Sequence, residues 1–579
     1  MDRISVGQRA LSIADVLLTI VDHIGPEDDI EFPPRQQNTP SQQSTLLQLG
    51  RTCRAAWQVL KPRLWWTLRA EAIYFNLPDD VQRLASGEFS FSAEAIQYSV
   101  SQRPLSDAEI EPLKRYCFYT RVLYLRQPNL LTPDDVSAIR YFRFALAVLP
   151  QLHAKIPALH NIPRIVISNE DSTSAALLEA VLGPFLGPEL QSISLGLGTL
   201  EEIPTALLRA IGERCSGLLH IHLDCTHIQD WGAISSILCD TVWKCCVTLK
   251  TVQVHFMDHG PEVWKAISAL PDLEEVAFTA RRSISAIHSV PPDGMPVFPK
   301  LRVLMARQYQ EEFEYELEEE TIDTSAFVRA TFSPLLAKLE FTCTSGQKLC
   351  DMVAIVIDRW SATMRELDIS TVWEQNEITP LSFTALVLQL HLLPHLTGLG
   401  IHGIYPFTLH DADVDRLTEA WASLTRLQFS AAAENWDFWT TPLTRRSIYT
   451  LAQAYPNLHS LAISIDHTRP YFEPLSLGQE APTCPRLILW DSVNSRLNDV
   501  RGTLAFMLRY FPNIRIFYGS SSTKERDLIS DLLGTSTPDR YKLQPAYVSP
   551  YEWSEMHFPE RNWEHKYDGT PSSLDEDWE

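Results

Sequence analysis

Leu218-Leu219-His220-Ile221-His222-Leu223-Asp224 decides the fold. Leu218, Ile221 and Leu223 stand at spacing L-x-x-L-x-L, and the residues between Ile221 and its neighbours alternate apolar with polar. Alternation with period two is the mark of a strand buried on one face. The same spacing returns upstream at Ile162, Ile165, Ile167 and at Leu190, Ile193, Leu195. Downstream it returns at Leu249, Val252, Val254; at Leu273, Val276, Phe278; at Leu301, Leu304, Ala306; and at Leu336, Leu339, Phe341. It continues at Met364, Leu367, Ile369; Leu396, Leu399, Ile401; Leu424, Leu427, Phe429; Leu458, Leu461, Ile463; Cys484, Leu487, Leu489; and Ile514, Phe517, Gly519. A degenerate copy sits at Thr120, Leu123, Leu125. From Ile162 on, the step from one copy to the next stays between 24 and 35 residues. Such regularity points to a repeat array rather than one non-repetitive sheet domain.

Between strands the period moves toward 3.6. Leu200, Ile203, Leu207, Leu208 and Ile211 share a helical face, as do Leu349, Val353, Val356 and Trp360, and Leu504, Met507, Leu508 and Phe511. Prolines at positions 188, 271, 299, 394, 456, 485 and 512 lie just before strands or inside their entry turns. A proline there ends the preceding helix, because it has no amide to continue the ladder. The unit is strand, turn, helix, turn. No single unit buries its own apolar face, so neighbours must stack. The expected fold class is α/β: a solenoid with inner parallel strands and outer helices, preceded by a small all-α module.

The repeat resembles a leucine-rich repeat of the longer, helix-containing type, over roughly residues 162–519. It departs from that family in one respect. The Asn or Cys expected eight residues after the first leucine is replaced by Glu170, Gly198, Thr226, Met257, Arg281 and other types. The polar residues between the motif leucines are expected on a concave face that takes a protein target. Candidates are His220, His222, Asp224, His255, Arg307, Asp368, His402, Arg426, Trp490 and Tyr518.

The first seventy residues read differently. Ile13, Val16, Leu17, Ile20 and Ile24 make one helical stripe, with Ser12 as N-cap and Gly25 as stop. A polar loop over 26–43 follows. Leu46, Leu47 and Leu49 then lead into Arg51-Thr52-Cys53-Arg54, and the segment closes on Pro62-Arg63-Leu64-Trp65-Trp66-Thr67-Leu68. This text resembles an F-box in three places: the acidic start of the helix at Asp15-Val16-Leu17, the Cys-Arg pair and the Pro-x-Leu-Trp-x-x-Leu close. It departs in having Ala14 where proline is expected, and in its long loop.

The whole chain is thus similar to fungal-type F-box proteins with degenerate leucine-rich repeats. That resemblance implies docking on a Skp-type adaptor, and through it on a cullin, by Val16, Leu17, Ile20, Leu46, Leu49, Leu64 and Trp65. The function implied is substrate recognition for a cullin-RING (SCF-type) ubiquitin ligase. The alternative is a protein-binding scaffold that assembles no ligase.

The expected organisation is an F-box-like module over 8–70, a helical connection with a degenerate repeat over 71–160, the solenoid over 161–522, a cap over 523–546 and an acidic, aromatic tail over 547–579. The net charge of −23 argues against nucleic acid or an anionic membrane as partner, since both need concentrated Lys and Arg. Ten cysteines with no CxxC pair, together with the lack of a signal peptide, fit a reducing compartment, cytoplasm or nucleus. No cofactor and no metal is expected. His220-x-His222-x-Asp224 with His255 has the residue types to chelate zinc, but histidines on a solvated strand are commoner. Gly398-x-Gly400-x-x-Gly403 has the letters of a dinucleotide loop, yet lies within a repeat strand rather than opening a helix. With no nucleophile elbow, phosphate loop or metalloprotease helix in the chain, no enzyme activity is expected.

Overall fold

The computed structural model describes residues from Thr67 to Gly519, except 84–97, 99–101, 127–132, 169–174, 197–203, 225–230, 256–260, 281–297, 309–323, 345, 372–382, 404–408, 422, 432–442, 468–481, 493–499 and 515. Residues 8–66 of the module expected over 8–70, the cap over 523–546, the acidic run Glu311 to Glu320 and the tail over 547–579 lie outside the described residues.

The described chain is an α/β solenoid. Fifteen strands form one parallel sheet in strict sequence order. They are β1 (Thr67–Arg69), β2 (Val122–Arg126), β3 (Arg164–Ser168), β4 (Ser192–Gly196), β5 (His220–Asp224), β6 (Thr251–His255), β7 (Glu275–Ala280) and β8 (Val303–Gln308). Then come β9 (Lys338–Cys343), β10 (Glu366–Thr371), β11 (Gly398–Gly403), β12 (Arg426–Ala431), β13 (Ser460–Ile463), β14 (Leu489–Ser492) and β15 (Ile516–Gly519).

Register carries the repeat from strand to strand. Leu123, Ile165, Ile193, Ile221 and Val252 stand in line across β2 to β6. Leu339, Leu367, Leu399, Leu427 and Leu461 continue that line across β9 to β13. A second line runs through Leu195, Leu223 and Val254, and further on through Phe341, Ile369 and Ile401. Both lines are buried. Each such side chain stabilises the stack by about 1.5–3 kcal/mol of apolar burial.

The described helices pack on this face. Trp264 of helix Pro261–Ser268 meets Phe278 of β7 at 5.8 Å between ring centroids, and Phe327 of helix Ser325–Ala330 meets the same ring at 4.2 Å. Helices need about 10 Å of width and strands about 4.8 Å, so a sheet covered on one face bends with its helices outside. The free face is therefore concave.

The missing Asn ladder is replaced by scattered donors. Thr248 donates to the carbonyl of Leu218 at 2.8 Å, Thr363 to Leu336 at 2.7 Å and Thr425 to Thr397 at 2.9 Å. The indole N–H of Trp360 donates to Ser333 at 2.6 Å, that of Trp421 to Leu393 at 2.8 Å, and the Tyr455 hydroxyl to Leu417 at 2.8 Å. Each bond joins one unit to the unit before it, and several satisfy carbonyls that are out of reach of water.

The structure corrects one repeat. Leu461 pairs with Trp490, not with Leu489. The copy is Leu487, Trp490, Ser492 rather than Cys484, Leu487, Leu489. The entry turn shows why. The Leu487 amide donates to the Cys484 carbonyl, as Leu458 does to Tyr455, Leu249 to Cys246 and Leu218 to Cys215. Cys484 is thus the buried residue before the turn, and its apolar character mimicked a first leucine. The sheet also begins earlier than residue 161. Leu68, the last residue of the Pro-x-Leu-Trp-x-x-Leu text, pairs with Leu123 and is buried.

Candidate functional site: the concave face

Alternation places every second strand residue on the helix-free face. The expected residues His220, His222, Asp224, His255, Arg307, Asp368, His402 and Arg426 all hold such register positions. They do not form one site. Two groups result, adjoining at β7, where Thr279 stands beside Arg307.

The first group lies on β4 to β7. His222 Nδ1 bonds the Ser194 hydroxyl at 2.9 Å, His220 Nδ1 bonds Thr251 at 3.1 Å and His255 Nδ1 bonds Thr279 at 2.9 Å. The His222 and His255 rings meet edge to face at 5.1 Å. Burial, with the charges of Arg164 and Lys250 added, pushes the His220 imidazole down to about 4. Burial also pushes His255 down, against the pull of Asp224. Both rings are thus neutral at pH 7. Among the described residues no group of three or more His, Cys, Asp or Glu is arranged to hold a metal ion.

The second group lies on β8 to β12 and is built of ion pairs. Arg307 grips Glu340 on the next strand through two bonds, Nε to Oε1 at 2.6 Å and Nη2 to Oε2 at 2.8 Å. Arg426 reaches past β11 to Asp368 on β10, Nη1 to Oδ1 at 2.7 Å and Nη2 to Oδ2 at 2.6 Å. Lys338 stands 3.3 Å from Glu366, and His402 Nε2 stands 4.0 Å from Asp368. Burial alone would raise the Asp368 carboxyl. The Arg426 charge and the bonds from His402 and Arg426 outweigh it and hold Asp368 far below the carboxylate range.

The glycines of β11 explain this reach. A Cβ on Gly398 would lie 3.1 Å from Arg426 Nη2, and one on Gly400 would collide with Asp368 Oδ1. Gly398-x-Gly400 is a notch that lets one guanidinium cross a whole strand. Its letters were visible in the sequence; their use was not, because it depends on which residue stands two strands away.

Two expectations at the C-terminal end part company. Trp490 pairs with Leu461 and Phe517, so its register position belongs to the buried line and not to the concave face. Tyr518 pairs with Asp491, which pairs with Ala462, and so keeps a concave register position. The expected adaptor contacts Val16, Leu17, Ile20, Leu46, Leu49, Leu64 and Trp65 lie outside the described residues.

The sequence reading missed Arg69, Tyr124 and Arg164. These occupy concave positions on β1 to β3, and the list of candidates began only at β5. The degenerate copy at Leu123 and Leu125 was the available signal. No protein-family model matches the chain, and no curated protein matches it.

Proposed function

We propose that this chain is the substrate-recognition subunit of a cullin-RING ubiquitin ligase, a leucine-rich-repeat receptor fused to an F-box-like module. The observation that carries this reading is the junction at Leu68. Leu68 both closes the text that resembles an F-box and starts the buried line of the solenoid. On this reading the module docks the adaptor and the solenoid presents the target beside it. Fixed geometry is what a receptor without chemistry contributes, because proximity alone raises the rate of transfer to its target.

Other features support the same reading. The concave face carries polar side chains from many strands, locked by hydrogen bonds and ion pairs, as a pre-organised recognition surface requires. Eight cysteines among the described residues are free thiols, and burial pushes Cys117 and Cys246 up to about 12, which fits a reducing cytoplasm or nucleus. Among the described residues no helix is long and apolar enough to cross a membrane.

Capture on an immobilised Skp-type adaptor tests the reading. The parent chain binds. Leu17→Asp and Trp65→Ala variants with unchanged circular dichroism do not. Equal capture of parent and variants refutes adaptor docking by this segment and leaves a scaffold that assembles no ligase.

A further inference from the structure

We draw no further inference here: the strongest candidate, the apolar surface of exposed Phe332, Leu335, Leu388 and Leu392 where the helices run into β9 and β11, carries nothing, because nothing in the structure shows what covers it.

Discussion

Asp368 and Arg426 show what one residue position can decide. Their side chains are 11% and 21% exposed, so both charges sit largely out of water and each depends on the other. Removing one partner strands the second. Asp368→Ala is expected to destabilise the fold by about 3–5 kcal/mol, while the double change Asp368→Leu with Arg426→Met recovers most of it. Urea midpoints on the three proteins check this, and a double variant as unstable as the single one contradicts it. Gly400→Ala, which drives a Cβ into the Asp368 carboxylate, should resemble Asp368→Ala in direction.

The histidines give the fold its pH dependence. His220 and His467 are both held down to about 4 by burial first and nearby arginines second. Unfolded histidine titrates near 6.5. Between those values the unfolded chain binds protons that the folded chain refuses. Stability from these groups is therefore full above about pH 6.5 and is lost as the pH falls toward 4. Thermal midpoints should drop on going from pH 7 to pH 5, and His220→Gln should flatten the slope. A flat profile in the parent would contradict the assignment. The Asp368 pair adds no slope in that window: its carboxyl is held far below its ordinary value, so its stabilisation is lost only on acidification below the ordinary carboxylate range.

At the scale of elements, the alternation at Leu218-x-x-Ile221-x-Leu223 was enough to read strand, turn and helix through most of the array. Burial on one face enforces a period of two, and the period survives degeneration of the individual leucines. What failed was phase and extent. Cys484 is apolar and buried, and sequence alone does not distinguish a buried turn residue from a first leucine. β1 is three residues long, too short to show alternation, and β2 is followed by the helix Pro133–Lys155, whose 23 residues break the usual spacing.

Contacts across the stack were not legible either. Alternation marked which residues face inward, but not that Arg426 would meet Asp368, because the pairing depends on an intervening strand whose facing positions are Gly398 and Gly400. Gly212 gives a further case. It lies within helix Thr205–Arg214, where alanine would ordinarily be favoured by about 1 kcal/mol. Its Cβ would come 2.9 Å from the backbone carbon of Thr241, in the π-turn Leu238–Val242 of the next unit. Gly212→Ala is thus expected to lower the thermal midpoint, and a rise would show that the two helices can move apart freely.

At the scale of the molecule, fifteen strands pair only with their sequence neighbours. Each described unit is stabilised by the units beside it. Ion pairs close on one another from β8 to β12, while acids are in excess over the whole chain.

Sedimentation of the purified full-length chain with a purified Skp-type adaptor tests the receptor reading most directly. A one-to-one complex that Leu17→Asp abolishes, without change in the chain's own thermal midpoint, is the result expected. Two species that sediment separately at micromolar concentration would contradict it.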